Sequence, residues 1–91
     1  MAWQIKFTDK AERQFSKLPK EIQLRVKDLL YKRLKGLQNP RQIGEALKGE
    51  LNPYWKYRIG KYRLIAEIID GELLILVIKI EKRESVYKWL K

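Results

Sequence analysis

Hydrophobic positions in the first half of the chain predict one strand followed by two helices. Residues 3–7 alternate between apolar and polar side chains, as they would along a half-buried strand. Apolar residues then recur at helical spacing on both sides of Pro19, which predicts a helical hairpin that ends near Gly36. Asp9 and Glu12 have the spacing of a helix N-cap and its reciprocal partner, so the first helix is expected to begin there.

Three more strands, joined by two tight turns, are predicted in the second half. Gly60-Lys61 has the signature of a two-residue hairpin turn, with glycine where a positive φ is needed. Asp70-Gly71 is interpreted as a second turn of the same kind. The predicted strands are residues 54–59, 62–69 and 72–80.

These elements predict a small α+β fold with the order β-α-α-β-β-β-α in one domain, residues 1–91. Its mainly antiparallel, twisted sheet would carry the helical hairpin on one face. Residues 73–78 lack polar alternation, so that strand is expected to be central and covered on both faces. Residues 41–53 are interpreted as a connection anchored by Leu47, and residues 84–90 as a short last helix.

The first hairpin also predicts which side chains share a face of the sheet. A two-residue turn places Ile59 opposite Tyr62, so Arg58 lies opposite Arg63 on one face, with Lys56 two residues along. Like charges that oppose each other destabilise a sheet. A solvated surface would explain one such cation, but three that converge favour an anionic ligand, and a phosphate backbone is the first to consider.

Composition narrows the possible chemistry. The net charge is +10, from 21 Lys and Arg against 11 Asp and Glu, which favours a polyanionic partner. The sequence contains no cysteine and no histidine, so disulfides, thiolate metal sites and histidine acid–base catalysis are excluded. No cofactor or metal is expected. The start of the chain lacks a signal-peptide core, and the apolar run 73–78 is too short to span a bilayer, so a cytoplasmic location is expected.

Five segments stand in a particular order along the whole chain. They are the opening strand, the Leu-Pro between the helices, Leu47-Lys48-Gly49, Tyr62-Arg63-Leu64-Ile65 and Lys82-Arg83-Glu84-Ser85-Val86-Tyr87. Each motif is weak alone, but together their order and spacing are fairly specific, and they resemble the RelE/ParE superfamily of bacterial and archaeal toxins, in particular its RelE-like branch.

The resemblance implies a ribosome-dependent, metal-independent mRNA endonuclease that blocks translation as the toxin of a type II toxin-antitoxin system. In that family the ribose 2′-hydroxyl attacks the adjacent phosphate, which leaves a cyclic phosphate and a free 5′-hydroxyl. The implied partners are a cognate antitoxin and the ribosome with mRNA in its A site, and no membrane is involved.

Candidate site residues follow from the matched positions. Lys56 and Arg58 stand where the family has two active-site lysines. Arg63 matches the family's arginine after Gly-Tyr or its equivalent, Arg83 matches the arginine of the Gly-Lys-Arg or Gly-His-Arg motif, and Tyr87 matches a tyrosine near the end. Arg58 and Arg63 would bind phosphate oxygens, and Tyr87 would either stack on a base or pack the last helix on the sheet. Further candidate RNA contacts are Lys48, Lys61 and Lys82.

The sequence leaves open which group acts as the general base. Arginine stays protonated, so Arg58 is a poor proton acceptor at a position where relatives have lysine. In a YoeB-like subgroup a glutamate is catalytic, and Glu45 occupies the comparable position here. Proton transfer would therefore fall to Lys56, to Glu45 or to groups of the ribosome.

Two other functions stay open. One is a ParE-like toxin, which has the same fold but inhibits DNA gyrase and has no ribonuclease centre. The other is a non-catalytic or detoxified relative that binds RNA through charge alone. The cation set together with Tyr87 favours the ribonuclease over the gyrase inhibitor.

Overall fold

The computed structural model describes residues 3–47 and 54–82. Three candidate site residues, Lys48, Arg83 and Tyr87, and the expected last helix lie outside these residues. The elements are β1 (Gln4–Phe7), α1 (Asp9–Ser16), α2 (Lys20–Lys27) with a π-helical continuation (Asp28–Leu34), a 3₁₀ turn (Pro40–Gln42), β2 (Glu45–Ala46), β3 (Tyr54–Ile59), β4 (Tyr62–Ile69), a second 3₁₀ turn (Asp70–Glu72) and β5 (Leu74–Lys82).

The five described strands form one sheet in the order β1-β5-β4-β3-β2. β1 pairs with β5 in parallel, and the other pairs are antiparallel. The predicted α+β fold is therefore confirmed, and β5 lies between two strands as expected. The interpretation of residues 41–53 as a plain connection was wrong in one respect, because Glu45–Ala46 forms an edge strand.

Alternation along the strands places one face of the sheet against the helices. Tyr57, Leu64 and Ile75 point to this face and are almost completely buried against residues of the helical hairpin such as Val26 and Leu30. Burial of an apolar side chain of this size contributes about 1.5–3 kcal/mol. The cations Lys56, Arg58 and Arg63 therefore point to the other face of the sheet, away from the apolar core that the helices cover.

Thr8 caps the first helix, so the prediction that Asp9 is the N-cap was wrong by one residue. The Thr8 hydroxyl accepts a hydrogen bond of 3.1 Å from the backbone N–H of Ala11. Asp9 is the first helical residue, and both Asp9 and Glu12 lie in the first turn, where their charge favours the helix dipole. Thr8 has extended backbone geometry, which a cap requires.

The two turns differ. Gly60 has a φ of +58°, which confirms its predicted role in the β3–β4 hairpin. The prediction of a second turn like it at Asp70-Gly71 was wrong, because these residues belong to a 3₁₀ turn and Leu73 takes the positive φ of 48°. The Leu73 N–H donates to the carbonyl of Asp70 at 3.1 Å, and β5 starts one residue later, at Leu74.

A β-bulge interrupts the pairing of β4 with β5. Ile65 pairs with Lys79, but the next residue, Ala66, pairs with Val77, so Ile78 is an extra residue in β5. A bulge reverses the face to which all later side chains of the strand point. Ile80 therefore enters the core, and the charged residues on either side of it, Lys79 and Glu81, turn to the face that carries the cations.

Candidate functional site

The predicted register of the β3–β4 hairpin is confirmed. Arg58 is paired with Arg63, and Ile59 is paired with Tyr62. Lys56 is paired with Ile65, two residues along the same face. We name the group Lys56, Arg58 and Arg63 the cation cluster.

Glu45 lies at the side of the cluster that β2 forms. β2 pairs with β3 so that Glu45 is directly opposite Lys56. One carboxylate oxygen lies 3.7 Å from Lys56 Nζ, and the other lies 3.7 Å from Arg58 Nη2. The Lys56 side chain is 17% exposed, whereas that of Glu45 is 56% exposed. The structure thus brings both candidate bases together, with the lysine enclosed and the carboxylate open to solvent.

Glu81 lies at the opposite side of the cluster and binds Arg63. Its carboxylate oxygens lie 2.7 Å from Arg63 Nη2 and 3.2 Å from Lys79 Nζ. Burial disfavours the charged form of Glu81, but Lys79 and Arg63 outweigh it and hold the pKa of Glu81 below its ordinary value. Among the described residues, Arg63 Nε is buried and has no hydrogen-bond partner. Arg63 is therefore anchored at one edge of its guanidinium group.

Sequence reasoning missed Lys79 and Glu81. Regular alternation of side chains from Leu74 onward would place Lys79 and Glu81 on the core face. The extra residue Ile78 shifts the alternation by one, so both side chains lie on the face of the cation cluster instead. The available signal was the sequence Lys79-Ile80-Glu81, where a single apolar residue between two charges is better placed in the core than the charges are.

Two predicted RNA contacts lie apart from the cluster. Lys61 is in the turn of the β3–β4 hairpin. Lys82 is paired with Tyr62, whose side chain packs against the core, so Lys82 lies on the helix-facing side of the sheet. Their contact with RNA stays a prediction.

A groove runs between the π-helical segment and β3, beside the cluster. The part nearest Glu45 has a volume of about 290 Å³, and the part nearest the hairpin turn has about 540 Å³. Leu29, Arg33 and Arg58 line both parts. Within residues 3–47 and 54–82, no group of three or more His, Cys, Asp or Glu side chains is placed to hold a metal ion. No helix in this part of the chain is long and apolar enough to cross a membrane.

Comparison with known proteins gives the family. The family model of the ParE toxin of type II toxin-antitoxin systems, parDE, matches residues 5–87. The chain belongs to the RelE/ParE toxin superfamily. Within that superfamily it is 28% identical to the toxin RelG of Mycobacterium tuberculosis, over 97% of this chain and 99% of RelG. It is 31% identical to the mRNA interferase toxin RelE of Escherichia coli, over 92% of this chain and 86% of that toxin.

A solved structure supports the same placement. The toxin-antitoxin complex RelBE2 of Mycobacterium tuberculosis contains a chain with 28% identity and a TM-score of 0.78, and the match covers 91% of this chain and 93% of that one. The similarity to proteins named RelE and RelG, in sequence and in fold, places this superfamily member in the RelE-like branch.

Proposed function

We propose that this RelE-like toxin is a ribosome-dependent mRNA endonuclease that cleaves by attack of a ribose 2′-hydroxyl on the adjacent phosphate. The observation that carries the proposal is the pairing of Arg58 with Arg63 on one sheet face, with Lys56 beside them. Two directly opposed guanidinium groups cost stability unless an anion binds between them, and a phosphate is an anion with the matching geometry. The name mRNA interferase of the Escherichia coli relative supports the same reaction.

The described residues can divide the chemistry between them. Arg58 and Arg63 donate N–H groups to the phosphate oxygens, where negative charge grows in the transition state. Lys56 or Glu45 removes the proton of the 2′-hydroxyl, which the 3.7 Å distances from Glu45 to Lys56 and to Arg58 support, because they place both candidate bases beside an arginine that would bind the phosphate. The proposal assigns contact with the phosphate or the leaving 5′-oxygen to Arg83 and stacking on a base to Tyr87. The proton for the leaving oxygen comes from Lys56, Glu45 or groups of the ribosome, since arginine does not release its own. The ribosome would contribute to the rate by orienting the mRNA, because reactants that are already positioned no longer lose entropy on the way to the transition state.

We also propose a cognate antitoxin as the partner that inhibits the free toxin. The complex RelBE2 supports this partner by similarity. The net charge of +10 and the cation cluster favour an acidic segment that covers the cluster. The association rate should then fall steeply as salt is raised, and RNA cleavage should stop in the complex. A toxin that acts on translating ribosomes works in the cytoplasm, so this is the proposed location.

The test is an in vitro translation reaction with purified toxin, followed by mapping of the mRNA ends. Cuts at defined codons, with a 2′,3′-cyclic phosphate on the upstream fragment, are expected. Arg63→Ala should abolish them, whereas Arg13→Ala, which removes an exposed arginine of α1, should leave them unchanged. Binding of RNA without cuts by the wild-type toxin would instead identify a non-catalytic RNA-binding protein.

A second candidate is a ParE-like toxin that inhibits DNA gyrase, because the matching family model is that of the ParE toxin. Gyrase supercoiling assays with the same protein preparation separate the two functions. Inhibition of supercoiling without any mRNA cuts would favour the gyrase toxin and overturn the ribonuclease proposal.

A further inference from the structure

Arg63 is held by a carboxylate that no resemblance to the family pointed to. Glu81 lies directly opposite Arg63 on β5, and the two form an ion pair with Oε2 2.7 Å from Nη2. The other oxygen, Oε1, lies 3.2 Å from Lys79 Nζ. The side chains of Arg63 and Glu81 are 24% and 29% exposed, so water screens this pair less than it screens a surface pair.

The other carboxylate at the cluster behaves differently. Glu45 is more exposed than Glu81, and its distances to Lys56 and Arg58 are both 3.7 Å. A pair at that distance and exposure holds its partners only loosely. In the described part of the chain, the cluster therefore has a fixed carboxylate, Glu81, which binds Arg63, and a more exposed one, Glu45.

The place of Glu81 depends on the bulge at Ile78 and on the helix that stabilises it. The Thr8 hydroxyl donates to the carbonyl of Ile78 at 2.9 Å, and the Thr8 N–H donates to the carbonyl of Val77 at 3.0 Å. Gln14 Oε1 accepts from the N–H of Ile80 at 2.8 Å. These bonds satisfy β5 backbone groups at and beyond the end of β1, where no strand of the described residues pairs with that edge. Bulges beside functional sites commonly re-aim a side chain in this way.

We propose that Glu81 is a positioning residue that fixes the orientation of the Arg63 guanidinium from the side away from Arg58, so that Arg63 and Arg58 can bind the same phosphate. This inference rests on the proposed endonuclease function. Arg58 repels Arg63, and an unanchored arginine has several rotamers that point away from a like charge. Glu81 occupies the Nη2 edge of Arg63 and leaves donors of the Nη1 side for the ligand. Because Glu81 acts through Arg63, its removal should slow the reaction without weakening the attraction for RNA.

The first test measures Arg63 itself and needs no activity. The measurement is a ¹H–¹⁵N spectrum of the arginine side chains in the isolated toxin. The signal that is lost in Arg63→Lys belongs to Arg63, and its Nε–H should exchange slowly in the wild type. The signal should broaden or disappear in Glu81→Gln, and it should persist in Glu67→Gln, which removes a carboxylate from the same sheet face. Glu81→Asp, which keeps the charge, should restore at least part of the protection.

The second test uses kinetics on translating ribosomes. Glu81→Gln removes a negative charge, so charge alone predicts an unchanged or lower KM, whereas lost positioning predicts a kcat lower by about tenfold or more. Glu67→Gln should leave kcat unchanged and thus serves as the charge control. A kcat for Glu81→Asp between those of wild type and Glu81→Gln would separate positioning from a loss of fold, which circular dichroism checks.

The outcomes are distinct. An Arg63 signal that is unchanged in Glu81→Gln, or an equal kcat for Glu81→Gln and Glu67→Gln, would overturn the positioning role. If the wild type makes no cuts, the proposed endonuclease function fails, and the spectra alone then decide whether Glu81 holds Arg63.

Discussion

Arg58 and Arg63 lie directly opposite each other on β3 and β4, on the sheet face away from the helices. Each arginine has its own carboxylate: Glu45 lies 3.7 Å from Arg58, and Glu81 lies 2.7 Å from Arg63. The two carboxylates lie on the same sheet face as the arginines and flank them, Glu45 from β2 and Glu81 from β5, so neither comes from between the two strands that carry the guanidinium groups. Like charges held opposite each other cost stability, which is typical of a functional site and supports the proposal that an anion binds here.

The repulsion between the arginines can be measured by a double-mutant cycle with Arg58→Gln, Arg63→Gln and the double variant. We expect a repulsive coupling of about 0.2–1 kcal/mol in the free energy of unfolding, which decreases as salt is added. Urea unfolding of the four proteins gives the coupling. A control cycle that combines Arg13→Gln with Arg63→Gln should give a coupling near zero. An attractive coupling between Arg58 and Arg63 would contradict the arrangement described above.

The identity of the base can be decided between Lys56 and Glu45. Lys56 is the more enclosed of the two, and it lies on the same strand and the same sheet face as Arg58. We therefore expect Lys56→Ala to lower the cleavage rate by about 10²-fold or more with little effect on ribosome binding, and Glu45→Ala to lower it much less. Single-turnover cleavage on programmed ribosomes measures both. The reverse order would assign the proton transfer to Glu45, and equal small effects would assign most of the rate to positioning by the ribosome.

Gly44 should tolerate no larger residue. Its φ is +83°, and a Cβ would lie 2.5 Å from the carbonyl oxygen of Lys56 and 2.7 Å from Cδ1 of Tyr57. We expect Gly44→Ala to destabilise the protein by about 2 kcal/mol or more, since strain and overlap add. The matched control is Gly71→Ala, where a Cβ would meet no atom within 4 Å.

The same substitution also has a functional consequence. Gly44 directly precedes Glu45, so a displaced backbone would move Glu45 away from Lys56 and Arg58. Cleavage by Gly44→Ala should therefore fall at temperatures where the variant is still folded. Thermal unfolding followed by circular dichroism gives the stability, and equal stabilities of the two glycine variants would contradict the predicted overlap.

Acid should weaken a contact that joins two distant turns. Arg41 donates to both carboxylate oxygens of Asp70, at 3.0 and 2.8 Å. These hydrogen bonds outweigh the opposing effect of desolvation and lower the pKa of Asp70 from its ordinary value. A carboxyl whose pKa is lowered in the folded state stabilises the protein above its unfolded pKa, and this stabilisation is lost as the pH falls through the folded pKa.

We therefore expect the free energy of unfolding to decrease as the pH falls below roughly 4, the range in which an unfolded aspartate is protonated. Asp70→Asn should show a smaller decrease over the same range, and Glu67→Gln serves as the charge-matched control. Urea unfolding between pH 7 and pH 2.5 measures the slope. Identical slopes for the wild type and Asp70→Asn would show that the Arg41–Asp70 pair does not contribute.

The sequence by itself determined the hairpin that carries the cation cluster. Strand alternation and the requirement for a positive φ at Gly60 act over only a few residues, so they fix the pairing of Arg58 with Arg63 without knowledge of the rest of the chain. The helical hairpin around Pro19 follows from local signals of the same kind.

Only the tertiary structure decided which residues surround that cluster. The family resemblance named Glu45 as a candidate base, but its place beside Lys56 comes from the pairing of β2 with β3, and a two-residue strand has too little pattern to be recognised locally. Glu81 faces Arg63 because hydrogen bonds from Thr8 and Gln14 stabilise a bulge some 66 to 70 residues away in sequence. Period-two counting fails at such an extra residue, since the side chains beyond it change face, and the only local sign of the change is the single apolar residue Ile80 between two charges.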